Sequence, residues 1–91
     1  MVIAKHYLIG GRVQGVGFRF FAEAQAAVEG LNGWVRNLPD GRVEMQLEGD
    51  SEAVERAEAK LRRGPRGARV ESFEVASAVP SGRATGFSIR S

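Results

Sequence analysis

Hydrophobic and polar residues follow a twofold rhythm in several parts of this chain, as expected for strands with one buried face. The clearest case spans residues 42–48, where Val43, Met45 and Leu47 alternate with polar residues. Other stretches are rich in β-favouring residues and are bounded by glycine or proline. We predict strands over residues 5–11, 33–38, 42–48 and 70–76, and a short strand around residues 87–89. Phe73 and Val75 are the expected core anchors of the strand over residues 70–76.

A helical rhythm of three to four residues appears twice, first over residues 18–29. Phe21, Ala24, Val28 and Leu31 recur at this spacing, and we expect them on the buried side of the helix. The alanines keep that contact surface small.

The second predicted helix follows Asp50, whose side chain can accept a hydrogen bond at a helix start. Val54 and Leu61 belong to its apolar stripe, and Gly64 marks its end. The complete order is β-α-β-β-α-β with a short terminal strand. It predicts a ferredoxin-like α/β sandwich of the α+β class, with two helices on one face of an antiparallel sheet, as a single domain over residues 1–91.

The amino-acid composition excludes several kinds of functional site. The absence of cysteine excludes disulfides, thiolate nucleophiles and cysteine-ligated metals, and a single histidine, His6, provides no histidine cluster. Apolar runs are too short to span a membrane, and the N-terminal residues do not follow the order of a signal peptide. We therefore expect no membrane association and a cytoplasmic location.

The charge of the chain is nearly balanced despite a calculated pI of 9.7. Thirteen basic residues, of which eleven are arginine, stand against eleven acidic ones, for a net charge of +2. The acidic residues are spread along the chain, so no polyanion-binding tail is present. Nucleic acid is not favoured as a partner.

The first candidate site is the glycine-dense segment GGRVQGVGFR, residues 10–19, which leads from a strand into a helix. Backbone N–H groups at such a junction can converge on an anion. The spacing does not match nucleotide-binding loops, because Val16 stands where a P-loop has lysine and Phe20 where a dinucleotide-binding loop has its third glycine. Arg19 falls in the first helical turn, where a cation opposes the helix dipole. It either clamps an anion or is solvated or paired with a carboxylate, and the glycines also serve turns that require positive φ.

The second candidate site surrounds Asn37, which ends a predicted strand just before the turn Pro39-Asp40-Gly41. Asparagine commonly forms turns, so this position has a purely structural interpretation as well. We expect Asp40 to serve the turn, Trp34 to lie in the core, and His6 to have a structural role.

These two segments carry a resemblance to a known family. The segment IGGRVQGVGFR, residues 9–19, resembles the first signature of the acylphosphatase family, and GWVRN, residues 33–37, with the Asp40-Gly41 pair after it, resembles the second. Length, element order and the ending FSIR, residues 87–90, are also similar, so the resemblance covers essentially the whole chain. Ser91 departs from the pattern, since many members end in an aromatic residue.

The resemblance implies hydrolysis of acyl phosphates to a carboxylate and inorganic phosphate, with no metal or cofactor. In that family pattern Arg19 binds the phosphoryl group and Asn37 holds and orients the attacking water. The backbone amides that complete the phosphate-binding loop are those of Gln14, Gly15, Val16, Gly17 and Phe18. Composition agrees, because a carboxylate leaving group needs no proton donor and the chain offers few catalytic groups.

Two other function classes remain open from the residues. A nucleic-acid binder on this fold is one, although it calls for exposed aromatic residues on the sheet. The other is a phosphate-binding or regulatory module, since similar domains are embedded in longer maturation factors. A chain that starts with Met1 and ends with its last strand favours a free-standing enzyme. We expect a monomer whose partners are a small-molecule acyl phosphate and inorganic phosphate or a similar anion in the loop.

Overall fold

A computed structural model describes all residues, 1–91, and contains every predicted element. The strands are β1 (Val2–Arg12), β2 (Asn32–Asn37), β3 (Val43–Asp50), β4 (Arg69–Ala78) and β5 (Phe87–Arg90). The helices are α1 (Phe18–Glu29) and α2 (Ser51–Arg63). Strands β1 and β4 are each longer than predicted. Neither helix is long and apolar enough to cross a membrane.

The five strands form one sheet in the order β4-β1-β3-β2-β5. Strand β1 pairs antiparallel with β3 and β4, and β2 pairs antiparallel with β3. This arrangement confirms the predicted ferredoxin-like α+β fold. The terminal strand β5 adds a parallel pair with β2, in which Gly33 stands opposite Phe87. The complete sheet is therefore mixed, and β5 closes the edge next to α1.

Both helices pack on one face of the sheet around a single core. Tyr7, Met45 and Leu47 are fully buried members from the sheet. From α1, however, the buried residues are Phe18, Ala22 and Ala26. The predicted stripe of α1 was therefore wrong at Ala24 and Val28, which are exposed. The insertion of Phe18 into the core sets the rotation of α1, so that the row at every fourth residue faces the sheet.

The open face of the sheet holds Trp34, which we expected in the core. Its neighbour Val35 takes the buried position, and alternation along β2 turns Trp34 to the other side. The Trp34 ring lies 6.2 Å from the His6 ring and 4.7 Å from the Arg90 guanidinium. Its contacts are therefore with polar neighbours on the open face, and the core prediction was wrong.

Strand β4 bears out one of its two predicted core anchors. Phe73 packs against the core and lies 5.6 Å from the buried Tyr7 ring. Val75, two residues further along this edge strand, is exposed. Only the first half of β4 is therefore covered by the helices.

Candidate active site

The loop between β1 and α1 owes its shape to two glycines. Gly15 and Gly17 have φ values of 74° and 78°, whereas no residue other than glycine has positive φ anywhere in the chain. A Cβ atom at either position would meet nothing within 4 Å, so conformation and not space requires glycine here. Alternation between positive and negative φ turns successive N–H groups toward one side, as in anion-binding nests.

Apolar side chains anchor this loop from beneath. Val13 and Phe18 are buried, and Val16 packs against the core from a partly buried position. Because these side chains point inward, the backbone between them forms the outer surface of the loop. The predicted anion loop is therefore held in place by the core of the domain.

Helix α1 starts without an internal cap. Its N-cap is Gly17, which has no side chain to accept a hydrogen bond, and its first turn contains no acidic residue. The first N–H groups of a helix have no intrahelical acceptor, so those of this turn are free to bind an external one. Arg19 lies in the same turn, is partly buried, and takes part in none of the seven ion pairs of the structure.

Asn37 reaches this place from β2. It is the last residue of that strand and pairs with Val43 of β3. Its side-chain oxygen Oδ1 is the one buried side-chain polar atom in the chain without a hydrogen-bond partner. A buried polar group without a partner costs about 1–3 kcal/mol of folding free energy. Such groups are rare in native proteins, and a functional role is one explanation for them.

The loop glycines, Arg19 and Asn37 line one small concavity of about 90 Å³. Its complete lining is Val13, Gly15, Gly17, Phe18, Arg19, Phe20 and Asn37. The structure thus brings the two sequence-predicted site segments together, although they are far apart in the chain. The concavity combines a cation, helix-start amides and a free amide oxygen.

Gln14 connects the loop to the β2–β3 hairpin, which sequence reasoning did not indicate. Its Nε2 atom donates to the carbonyl oxygens of Leu38 at 2.7 Å and Arg42 at 2.9 Å. These carbonyls lie on the two sides of the turn that follows Asn37. The Arg42 carbonyl oxygen also accepts a hydrogen bond from the Leu38 backbone amide at 2.8 Å. Its side chain thus joins the two halves of the site, in addition to the backbone amide predicted for the loop.

Asp40 serves the turn, as expected. Its Oδ1 accepts from the Arg42 backbone amide at 3.0 Å, and its Oδ2 accepts from Arg42 Nε at 2.9 Å. The backbone hydrogen bond from Arg42, followed by that residue's side chain, lowers the pKa of Asp40. Arg42 is therefore neutralised by its own turn, whereas Arg19 has no carboxylate partner.

His6 lies away from this concavity, on the open face of the sheet. Its Nε2 atom is 2.7 Å from Glu44 Oε2, and Glu44 also accepts from Arg36. Burial would raise the pKa of Glu44, but the hydrogen bonds from His6 and Arg36 outweigh it and lower that pKa. No group of three or more His, Cys, Asp or Glu residues is arranged to hold a metal ion.

A family model and similar sequences identify one family along nearly the full chain. A family model described as acylphosphatase matches residues 5–89. An acylphosphatase of Pseudomonas paraeruginosa is 51% identical over 88 residues, which are 97% of this chain and 96% of that protein. An acylphosphatase of Methylococcus capsulatus is 50% identical over 84 residues, 92% of this chain and 91% of that protein. The crystal structure of acylphosphatase from Bacillus subtilis matches with a TM-score of 0.93 and 34% identity over 100% of both chains.

Proposed function

This chain belongs to the acylphosphatase family and is an enzyme that hydrolyses acyl phosphates, and we propose that it does so with an arginine, a cradle of backbone amides and one asparagine. The observation that carries the proposal is the meeting of Arg19 and Asn37 in one concavity at the start of α1. Arg19 takes part in no ion pair of the chain, and Asn37 Oδ1 has no hydrogen-bond partner.

The phosphoryl group is bound by Arg19 and by the amides of residues 14–18 in this proposal. Support comes from the uncapped start of α1 and from the positive φ of Gly15 and Gly17. Guanidinium geometry matches two phosphate oxygens at once, and helix-start amides add donors and partial positive charge. Together they neutralise the equatorial oxygens, on which charge is concentrated during phosphoryl transfer.

Asn37 orients the attacking water. Its unpartnered Oδ1 accepts a hydrogen bond from that water, which places the water oxygen in line with the bond that breaks. The water oxygen bonds to phosphorus as the bond between phosphorus and the acyl oxygen breaks. The acyl group leaves as a carboxylate, and both water protons remain with the phosphate product. Asn37 takes no proton, so its contribution is positional.

The substrate explains why so few groups suffice. A carboxylate with an acid pKa of roughly 4–5 leaves without protonation, so no general acid is needed. Positioning and charge neutralisation supply the remaining acceleration. We therefore propose a metal-independent reaction of one domain over residues 1–91, acting as a cytoplasmic monomer on a small-molecule acyl phosphate.

Hydrolysis of benzoyl phosphate in the presence of a chelator tests this mechanism, with an aryl phosphate ester as the control substrate. We expect chelator-resistant turnover of the acyl phosphate and little turnover of the ester, whose leaving group is poorer. Asn37→Ala should lower kcat by about 10²–10³-fold, the usual effect of losing one positioned transition-state contact.

Inhibition by inorganic phosphate separates the two proposed roles. Asn37→Ala should keep phosphate inhibition nearly unchanged, because Arg19 and the amides remain. Loss of inhibition in a folded Asn37→Ala protein would make Asn37 a binding residue instead. Loss of turnover on chelation, restored by a divalent cation, would overturn metal independence.

A further inference from the structure

A second concavity runs along the outer side of α1, directly beside the proposed phosphate site. It has a volume of about 600 Å³ and lies between α1 and the sheet edge formed by β5. Most of its lining is apolar, with Phe20, Ala24 and Ala27 along the helix and Phe87 on the strand. We call it the α1–β5 groove.

Phe20 joins the α1–β5 groove to the phosphate site, because it lines both concavities. Its side chain follows Arg19 in the first turn of α1 and is 68% exposed. A large aromatic side chain in such a position exposes apolar surface that a ligand can cover. The groove and the proposed phosphate site are therefore neighbours, with the Phe20 side chain as their shared wall.

We propose that the α1–β5 groove binds the acyl group, so that the enzyme prefers acyl phosphates with neutral, apolar acyl chains of several carbons. This inference rests on the proposed function for the position of the phosphoryl group. With phosphorus held beside Arg19, an acyl group directed past Phe20 enters the α1–β5 groove. The rise of an α-helix places Ala24 and Ala27 about 7.5 Å and about 12 Å from Arg19 along the axis. These distances correspond to acyl chains of roughly six to nine carbons.

Glu23 is expected to disfavour substrates whose acyl group carries a negative charge. It is the single charged residue in the lining of the α1–β5 groove. Its carboxylate repels a second negative charge on the acyl group and leaves an uncharged chain unaffected. Acyl groups that end in a carboxylate or phosphate are therefore expected to bind more weakly than alkyl or aromatic ones of the same length.

Alkylphosphonates test the groove without any turnover, because they keep the phosphorus oxygens and the chain but cannot be hydrolysed. Calorimetry gives Kd for methylphosphonate, hexylphosphonate and 6-phosphonohexanoate. A half-buried methylene tightens binding about twofold, so hexylphosphonate should bind about thirtyfold more tightly than methylphosphonate. The 6-phosphonohexanoate should lose most of that gain.

The double variant Ala24→Gln/Ala27→Gln places polar amides in the groove without changing the charge. Both alanines are exposed, and glutamine is a good helix former, so the fold is expected to be retained. The hexyl-to-methyl preference should fall below about fivefold. The matched control is Val28→Gln, since Val28 is 73% exposed on the same helix and lies outside the groove. It should keep the full preference.

The outcomes separate this inference from the proposed function. Equal affinity for methyl- and hexylphosphonate, or an unchanged preference in the double variant, would overturn the acyl groove even if acyl phosphates are hydrolysed. A chain-length preference that Ala24→Gln/Ala27→Gln removes would support the groove even if the proposed roles of Arg19 or Asn37 in turnover fail. Absence of any phosphonate binding would reject both. Hexanoyl phosphate should also show a higher kcat/KM than acetyl phosphate.

Discussion

The two helices of this domain begin in opposite ways. At the start of α2, the Asp50 side chain accepts a hydrogen bond from the Glu52 amide at 3.2 Å, and Glu52 adds a negative charge to the first turn. Cations occupy its last turn. Each of these features complements the helix dipole and stabilises the helix.

At the start of α1 the cap and the first-turn acid are absent, and the charge of the first turn is reversed. Gly17 provides no cap, no acid occupies the first turn, and Arg19 brings a cation to the positive end of the dipole. An unfavourable charge there costs about 0.3–1 kcal/mol. The same chain follows the rules of helix stability at α2, so their reversal at α1 supports the anion site proposed there.

Arg19→Ala should have the largest effect. We expect kcat/KM to fall by at least about 10³-fold, because the variant removes the charge that stabilises the phosphoryl oxygens. Thermal stability should be unchanged or slightly higher, since the unfavourable cation at the helix start is gone. Opposite signs for activity and stability would separate a functional from a structural arginine.

Two variants control for charge and geometry. Arg63→Ala removes the same charge from the exposed end of α2 and should keep normal kcat/KM. Arg19→Lys retains the charge but not the planar fork, and it should also fail. Near-normal turnover in Arg19→Ala would contradict the proposed clamp.

Gly17→Asp would place a carboxylate at the N-cap position of α1, where α2 has Asp50. Its carboxylate would compete with phosphate for the helix-start amides, so we expect the inhibition constant for phosphate to rise more than about tenfold. Gly17→Asn is the matched control, because asparagine has nearly the shape of aspartate without its charge and would adopt the same φ of 78°. This variant should bind phosphate better than Gly17→Asp. Equal inhibition constants for the two variants would show that shape alone matters.

Asp50→Ala removes the side-chain cap at the start of α2. Loss of the cap should lower the free energy of unfolding by about 1 kcal/mol and Tm by roughly 4–8 °C. Because Asp50 lies outside both concavities at α1, kcat/KM should stay the same. Thermal denaturation together with a benzoyl phosphate assay measures both quantities. A loss of activity without a loss of stability would reverse the proposed division between the two helix starts.

The smallest expected effect concerns the pH dependence of Asp50. The N-terminal ammonium group, 3.2 Å from Oδ1, is the main cause that lowers the pKa of Asp50. Its stabilising contribution is therefore present at neutral pH and is lost as pH falls through the folded-state pKa, below the unfolded value of about 3.9. The stability difference between the wild type and Asp50→Asn should narrow below that pH. A constant difference down to pH 2 would contradict this assignment.

Most of the fold was predictable because local patterns agree with the global structure. The alternation of Val43, Met45 and Leu47 and the cap at Asp50 each identify an element without knowledge of the others. Trp34 and Val28 were misassigned because their hydrophobic character says nothing about which face the neighbouring elements cover. The parallel pairing of β5 with β2 likewise depends on how the chain crosses the sheet, which no local pattern encodes.

The candidate site divides in a similar way. Arg19 was noticeable from the sequence because it conflicts with the helix dipole, whereas Asn37 was noticeable from its place before a turn and took its proposed role from the resemblance to a known family. The side-chain contacts of Gln14 could not be predicted, because its two acceptors are main-chain carbonyls, which every residue carries. The α1–β5 groove was also hidden, since it depends on the rotation of α1 and on the position of β5.

The Gln14 contacts have a consequence for dynamics. Because one side-chain amide holds the carbonyls of Leu38 and Arg42, the loop and the hairpin turn cannot move independently while these hydrogen bonds persist. Much of the conformational entropy lost in ordering the two segments is then lost when the domain folds, before a substrate arrives. A rigid, preformed site of this kind should bind a phosphate with little change in the backbone order of either segment.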